Sequence, residues 1–486
     1  MPNLTAENPP RRALRYDLNL ALGHLTPDER ATRGKAARAE VPREQHAKFE
    51  PSPDRADPVG LLVQQAASRV PELVPVRYGR MMVSPFTFFR GAALPMASDL
   101  ADTPVSGLAV QACGDAHLSN FGVFGSAERR LVFDVNDFDE TLPGPWEWDV
   151  KRLAASIEVA ARGNGIPVKL RRECVIAAVA RYRQAMRRFA EMTNLDVWYA
   201  HADMDQLRTE LDSQLQARQR KALKAGLEKA RTRDSMQEVA KLTHMVNGRM
   251  RIISAPPLLM PLEDMFSEQA DQTNFESQIP GLIAKYQRTL ETDRRFLLEQ
   301  YDVADVARKV VGVGSVGTRC WIVLMLGRDD ADPLFLQVKE AEKSVLSTFV
   351  GPSKFANQGQ RVVAGQRLMQ ASSDIFLGWH RVEAGLDGRR RDFYVRQLRD
   401  WKYSIAIETL APSGLRMYGE LCGWTLARAH ARSGDRIAIA SYLGGSDVFD
   451  RAIAAFATAY ADQNERDHEA LVAAVAAGQI AADRDL

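Results

Sequence analysis

The spacing of apolar positions divides the chain into helical and strand-rich stretches. Between Asp149 and about Tyr301 these positions recur mainly at helical spacing. At Lys309 the pattern changes to strand, glycine loop, strand, polar turn and strand, in "RKVVGVGSVGTRCWIVLMLGRDDADPLFLQVKEA". Helical spacing returns from "RMYGELCGWTLARAHARSG" to the C-terminal tail. The pattern predicts an α+β fold with a large helical portion.

Two short apolar segments in the first third of the chain predict buried strands. "GLAVQAC" ends just before Gly114 and Asp115, and "RRLVFDV" ends just before the acidic run "NDFDE". The stretch that follows the first strand, "GDAHLSN", also carries a histidine and an asparagine. We therefore expect a carboxylate, an amide and several further acids to meet at one sheet edge.

Composition and charge argue against several classes of protein. The 486 residues include 64 Lys+Arg and 62 Asp+Glu, so the charge gives no reason to expect nucleic acid or an acidic membrane as a partner. The four cysteines form no CxxC pair, which argues against a zinc knuckle or a disulfide framework. The N-terminus lacks the apolar run of a signal peptide, and no run is long enough to span a bilayer. We expect a cytoplasmic protein.

The acidic loops carry the residue types that phosphoryl transfer needs. Asp115 and Asn120 stand five positions apart, and Asp137 follows the next predicted strand. A carboxylate can orient and deprotonate an attacking hydroxyl group, while an amide oxygen and a second carboxylate can hold a divalent metal. Taken alone, "GDAHLSN" could be a simple turn, His117 a structural histidine and "NDFDE" a solvated turn.

A glycine loop and a strand lysine form the second candidate group. Gly312, Gly314 and Gly317, with Ser315 between them, have GxGxxG spacing, but strand-like "TRCWIVLML" follows instead of the helix of a dinucleotide fold. A glycine loop between antiparallel strands covers nucleotide phosphates in kinases. Lys339 lies in an otherwise apolar strand, where phosphates are its natural partner. The alternative is a plain hairpin with a lysine on an edge strand.

The lysine lacks an evident carboxylate partner. Protein kinases pair it with a glutamate on the next helix. The helix predicted around "GQRVVAGQRLMQ" offers Gln360 and Gln366 but no acid. Arg396, Arg399 and Lys402 in "VRQLRDWK" are further candidates to face substrate or phosphate, or they belong to a solvated strand end.

The loop motifs resemble those of the aminoglycoside-phosphotransferase and choline-kinase-like branch of the protein-kinase superfamily. "GDAHLSN" matches the branch's Gly-Asp-x-His-x-x-Asn-like loop, in which Asn stands five places after Asp, and "NDF" matches its Ile-Asp-Phe/Trp strand end. The resemblance implies Asp115 as the catalytic base, braced by His117. It implies Asn120 and Asp137 as metal ligands, Asp149 as a structural anchor, and ATP and Mg²⁺ as cofactors. One departure precedes the loop, because "CGD" begins with cysteine where relatives usually carry histidine.

The order of the motifs indicates a circular permutation. Kinases run from glycine loop and lysine to catalytic and metal loops, whereas this chain has the two loops first. "TLARAHARSGD", near the C-terminus, resembles the helix that normally precedes the catalytic loop. A cut ahead of the catalytic loop reconciles these positions, and such permutation is tolerated when the new termini lie on the surface.

A second resemblance extends over nearly the whole chain. "SPFTFFRGAA", "CGDAHLSNFG", "FDVNDFDETLPGPWEWDVKRLAAS" and "LARAHARSGD" are similar to the bacterial family called domain of unknown function 2252. Membership implies a kinase-like fold. The family has no settled activity, so membership implies no particular reaction.

These observations predict a two-lobed, circularly permuted protein-kinase-like fold in four parts. They are a polar extension at 1–60, catalytic and metal loops with a helical C-lobe-like portion at 61–300, a β-rich N-lobe-like portion at 301–412, and returning C-lobe helices at 413–486. We expect an ATP- and magnesium-dependent phosphotransferase with an unidentified small-molecule or protein acceptor. The alternatives are a nucleotide-binding, pseudokinase-like module without transfer activity and a nucleotidyltransferase that moves AMP.

Overall fold

The chain folds into a mixed α/β structure with one large and several small antiparallel sheets. The computed structural model describes residues 25–205, 224–228, 231, 235–266, 268–385, 387–398, 401 and 405–484. Its main helices are α1 Pro27–Glu40, α2 Pro58–Ala66, α3 Val74–Met81, α4 Pro85–Gly91, α5 Ala93–Leu100, α6 Trp146–Gly163, α7 Val168–Glu191, α8 Asn194–Tyr199, α9 Ser235–Leu242, α10 Gln269–Gln287, α11 Thr292–Leu298, α12 Ser347–Val350, α13 Gln358–Met369, α14 Pro412–Ser433, α15 Arg436–Leu443 and α16 Val448–Ala476. Its strands are β1 Ala109–Ala112, β2 Phe121–Gly125, β3 Leu131–Val135, β4 Leu142–Pro145, β5 Ala202–Asp203, β6 Thr243–Val246, β7 Arg249–Ile252, β8 Leu259–Pro261, β9 Asp302–Lys309, β10 Cys320–Leu326, β11 Pro333–Ala341, β12 Gly378–Val382 and β13 Arg391–Gln397.

The large sheet has six strands in the order β12-β13-β11-β10-β9-β8, and every neighbouring pair is antiparallel. Along β10, Val323 and Met325 pack into one apolar cluster, and Ile322 and Leu324 pack into another. Burial on both faces explains the continuous apolar run of this strand, and each such side chain contributes about 1.5–3 kcal/mol. Because β11 lies between β10 and β13, Lys339 stands on an interior strand, and the edge-strand alternative is wrong.

The strands before the two acidic loops do not share one sheet, so the expectation of a single sheet edge is wrong. Among the described residues, β1 pairs with β4 alone, whereas β3 pairs with β2 and β5. The sequence concealed two of these partners, β2 and β4, because glycines in "FGVFG" and prolines in "LPGP" weaken the strand signal. The loops still meet, because β1 continues into the segment that leads to β2.

The helical portion is built around α6. Every residue of this helix from Trp146 to Ala161 is buried. Trp146 stacks on Tyr182 of α7 with ring centroids 5.7 Å apart. The helix ends at the predicted Gly-Asn-Gly stop, where Gly165 adopts a φ of +66°. This central helix therefore supports the loops that precede it in the chain.

The large sheet and the N-terminal segment differ in detail from the expected four-part division. β8, at Leu259–Pro261, joins the large sheet although it precedes residue 301. Within 1–60, helix α1 contacts the C-terminal helices through an ion pair between Arg30 and Asp435 at 2.8 Å. None of the helices in the described ranges is both long and apolar enough to cross a membrane.

Candidate functional site

A cavity of about 700 Å³ lies between the glycine loop, strand β11 and the two acidic loops. Most of the site residues expected from the sequence border it, from both halves of the chain. The cavity wall includes Asp115, His117, Asn120, Asp137, Gly312, Gly314, Ser315 and Lys339. Gly317 is not part of this wall. Its carbonyl oxygen accepts a hydrogen bond from the Val70 backbone at 2.8 Å.

Asp149, near the start of α6, holds the first acidic loop through the loop's backbone. Its carboxylate accepts the N–H groups of Cys113 at 2.6 Å and Gly114 at 2.9 Å. The imidazole of His430, on α14, lies 3.1 Å from the same carboxylate. Gly114 has a φ of +83°, and a Cβ there would lie 2.4 Å from the Glu140 carbonyl oxygen, so the turn requires glycine.

Asp115 follows this turn, and Arg152 of α6 holds its side chain. The guanidinium nitrogens of Arg152 lie 2.6 and 2.8 Å from Oδ1 of Asp115. The other oxygen, Oδ2, is 3.6 Å from Nε2 of His117. Burial raises the pKa of Asp115, and the charge of Arg152 opposes that rise. Burial and nearby arginines lower the pKa of His117 well below its ordinary value, so the imidazole is neutral at physiological pH.

The two candidate metal ligands lie at the same end of the β2–β3 hairpin. Asn120 immediately precedes β2, and Asp137 lies two residues after β3. The backbone N–H of Asn136 donates to the carbonyl oxygen of Asn120 at 2.8 Å, which fixes the two loops together. The side-chain nitrogen of Asn120 donates to the Asp115 carbonyl oxygen at 2.8 Å. The amide oxygen of Asn120 is therefore the atom suited to a cation.

Lys339 approaches this hairpin from the large sheet. Its ammonium nitrogen pairs with the Asp139 carboxylate and lies 3.6 Å from an Asp137 oxygen. Burial alone would lower the pKa of Lys339, but the two carboxylates raise it well above its ordinary value. Asp139 also accepts the hydroxyl groups of Tyr394 at 2.8 Å and Ser315 at 3.4 Å. Asp139 thus joins the lysine strand, strand β13 and the glycine loop.

Helix α13, which follows the lysine strand, supplies no carboxylate to the site. Arg361 of this helix donates instead to three backbone carbonyl oxygens, those of Asp139, Thr141 and Glu342, each at 2.8 Å. Arg361 of the helix therefore holds the backbone of the acidic loop in place. The loop itself supplies Asp139, the carboxylate partner of Lys339. Sequence reasoning missed this role of Asp139, although the acidic run contained it.

Arg396, the arginine candidate that lies within the described residues, forms hydrogen bonds with other parts of the protein. Arg396 borders the cavity and donates to the Gln337 side chain at 3.0 Å and to the Asn136 carbonyl oxygen at 3.1 Å. It therefore positions the strand end next to Asp137. Arg399 and Lys402 lie outside the described residues.

Asn120 and Asp137 carry the oxygen atoms of the candidate metal site. Within the ranges that the structure describes, no group of three or more His, Cys, Asp or Glu residues is placed to hold a metal ion. Mg²⁺ commonly takes only one or two protein ligands and completes its shell with water and phosphate oxygens. Asn120 and Asp137 provide one amide oxygen and one carboxylate for such an ion.

A comparison with protein families matches most of the chain. The family model described as "Uncharacterized protein conserved in bacteria (DUF2252)" covers residues 69–474. This confirms the family expected from the motifs, and every cavity residue discussed above lies in the matched range. No curated protein matches the chain, and no solved structure does.

Proposed function

The chain belongs to this bacterial family of uncharacterized proteins, and we propose that it is an ATP- and magnesium-dependent phosphotransferase. The observation that carries the proposal is the convergence of four separate motifs on one cavity. The glycine loop and Lys339 border it from the large sheet, and the loops of Asp115 and Asp137 border it from the helical side. These are the parts that position a nucleotide, a metal and an attacking hydroxyl group in phosphoryl transfer.

A two-lobed, circularly permuted kinase-like fold forms part of this proposal. The large sheet carries the glycine loop between β9 and β10, and it carries the lysine on β11. Helix α14 lies far along the chain, yet its His430 contacts Asp149 beneath the first acidic loop. A helix that precedes the catalytic loop in an unpermuted chain would make this kind of contact, which supports a cut ahead of that loop.

The nucleotide would be held by the sheet side of the cavity. The glycine loop offers a close backbone approach to phosphates, and Lys339 offers a buried ammonium group. Bound Mg²⁺ would supply charge neutralisation on the phosphate oxygens. Asn120 and Asp137 would be its protein ligands, and Asp139 would keep Lys339 oriented once Asp137 turns to the metal.

Asp115 would act on the acceptor hydroxyl group. Arg152 binds Oδ1, so Oδ2 is the oxygen available to accept the proton. His117 lies 3.6 Å from Oδ2 and, because its pKa is well below the ordinary value, adds no competing positive charge there. A positioned base of this kind contributes roughly 10²–10⁴-fold to the rate.

Transfer of labelled phosphate tests the proposal. The protein is incubated with magnesium and ATP labelled at the γ- or the α-phosphate, together with pooled small molecules and proteins as acceptors. We expect γ-label to be transferred, and we expect Asp115→Asn to slow the transfer by about 10²–10⁴-fold while still binding ATP. Transfer of α-label would instead identify a nucleotidyltransferase. ATP binding without either transfer would identify a nucleotide-binding module.

A further inference from the structure

Two arginine side chains border the cavity on the side of the glycine loop and Asp115. Arg69, which precedes α3, and Arg90, at the end of α4, both line it. Arg152 of α6 is already ion-paired with Asp115, as described above. The first two have no carboxylate within ion-pairing distance among the described residues.

Arg90 is more exposed than Arg69, and its side chain makes fewer contacts with polar groups of the protein. Within the described part of the chain it makes no hydrogen bond and no ion pair, and its buried Nε has no partner. Its pKa is lowered by burial, while Glu408 and Asp115 act in the opposite direction. A partly buried guanidinium group without an anion is costly, so an anion that enters the cavity gains from meeting it.

Arg90 lies between the glycine loop and the acidic loop that carries Asp115. A Cβ on Gly314 would lie 3.1 Å from the Arg90 carbonyl oxygen, so the end of α4 touches the tip of the glycine loop. Its side chain borders the same cavity as Asp115. The guanidinium group is therefore close to the region where a phosphoryl group would pass from nucleotide to acceptor.

Arg69 approaches the same loop from the segment before α3. It donates to the carbonyl oxygen of Val316, and the next residue, Val70, donates its N–H to Gly317 at 2.8 Å. Like Arg90, it has a buried Nε without a hydrogen-bond partner. Arg69 thus adds a second cation while it fixes the backbone of the glycine loop.

We propose that Arg90, supported by Arg69, forms an oxyanion-binding site at the end of the cavity between the glycine loop and Asp115. The inference rests on the proposed function and adds to it a specific class of ligand. The oxyanion is either the terminal phosphate of the nucleotide or an acidic group, phosphate or carboxylate, on the acceptor. Arginine suits both, because its planar guanidinium group can donate two parallel hydrogen bonds to such a group.

Calorimetry with defined ligands distinguishes the two sources of the oxyanion. Wild type, Arg90→Met and Arg90→Lys are titrated with Mg–ADP, with Mg–AMP-PNP, and with inorganic phosphate in the presence of saturating Mg–AMP-PNP. Arg416→Met serves as the control, because it removes one arginine from an exposed pair with Glu420 on α14, outside the cavity wall. Thermal unfolding of each variant verifies that it is folded.

We expect Mg–ADP to bind Arg90→Met as it binds wild type. If the oxyanion is the terminal phosphate, Mg–AMP-PNP binds Arg90→Met about tenfold or more weakly. If it belongs to the acceptor, Mg–AMP-PNP binding is unchanged and phosphate binding is lost. Arg90→Lys should retain part of the affinity, because it keeps the charge but loses the paired donors. Equal affinities of wild type and Arg90→Met in both arms would overturn the oxyanion site.

The proposed function and the oxyanion site can fail separately. Absence of Mg–ADP binding to wild type overturns the nucleotide proposal. The oxyanion site is then judged from inorganic phosphate and the nucleotide-free protein. Phosphate binding that is lost in Arg90→Met supports the site, and no binding at millimolar phosphate overturns it.

Discussion

The ammonium group of Lys339 pairs with the carboxylate of Asp139 across a sequence separation of 200 residues. The pair joins an interior strand of the large sheet to a loop of the helical portion. It also supplies the lysine with the carboxylate that helix α13 lacks. The contact is therefore both a structural link between two halves of the chain and the basis of the proposed nucleotide site.

A double-mutant cycle measures this link without reference to activity. Lys339→Met, Asp139→Asn and the double variant are unfolded in urea, and their free energies of unfolding are compared with that of wild type. We expect each single substitution to destabilise the protein, because Lys339→Met leaves the Asp139 carboxylate without its cation and Asp139→Asn leaves buried Lys339 with only the more distant Asp137 carboxylate. The double variant should lose less than the sum, with a coupling free energy of about 1–3 kcal/mol.

An exposed ion pair provides the control for this cycle. Arg416 and Glu420 stand one turn apart on α14, and their side chains are 56% and 38% exposed, so their coupling should be only about 0.3–0.5 kcal/mol. If the Lys339–Asp139 coupling were as small as that of the exposed pair, the contact would not hold the two parts of the chain together.

The local elements of the site could be predicted from the sequence because they depend on short patterns. Gly312–Gly317 lies between two apolar strand patterns, and the structure has β9 and β10 on either side. Lys339 interrupts an apolar run, which indicated an unusual buried charge. The acidic run after β3 was equally visible. In each case the signal lies within about ten consecutive residues.

Partners from distant parts of the chain could not be predicted in the same way. Arg152 lies on a helix that is buried on all sides, so no periodic polar face distinguished it. Arg69 and Arg90 precede the loop of Asp115 and are far from the glycine loop in the sequence. They contact the glycine loop only in the folded chain. The pairing of β1 with β4 was hidden for a different reason, since proline and glycine dominate "LPGP".

The loop anchor gives a second prediction. Asp149→Asn keeps the shape of the side chain but replaces one acceptor oxygen by a donor, which faces a backbone N–H of Cys113 or Gly114. We expect a loss of about 1–3 kcal/mol in the free energy of unfolding, because a buried N–H is left without an acceptor. Urea denaturation measures it. Unchanged stability would mean that the loop does not depend on this carboxylate.

Glu140 gives a prediction about pH. Burial raises its pKa from 4.5 to about 7, against the hydrogen bond that it accepts from the Val345 backbone. Between these values the folded state binds more protons than the unfolded state, so this group's contribution to stability is lost as the pH rises. Glu140→Gln removes the titration. Its melting temperature relative to wild type should therefore rise from about pH 5 to about pH 8, and a difference independent of pH would contradict the shift.

Asp115, the proposed base, and Asp137, the proposed metal ligand, should differ in the kind of defect that their loss causes. Asp115→Asn should bind Mg–ATP with wild-type affinity and, once an acceptor is known, turn over about 10²–10⁴-fold more slowly. Asp137→Asn should weaken the magnesium-dependent part of ATP binding itself, because a carboxylate ligand is lost. Full turnover in Asp115→Asn would refute its role as the base. Wild-type Mg–ATP affinity in Asp137→Asn would refute its role as a metal ligand.

Calorimetric titration of ATP, with and without magnesium, tests most directly whether the converging motifs form a nucleotide site. Wild type and Lys339→Met are compared, and the folding of the variant is verified by thermal unfolding. We expect wild type to bind ATP more tightly with magnesium than without it, and we expect Lys339→Met to lose most of this affinity. Absence of binding at millimolar ATP, or equal binding by folded Lys339→Met, would contradict the assignment of the cavity as a nucleotide site.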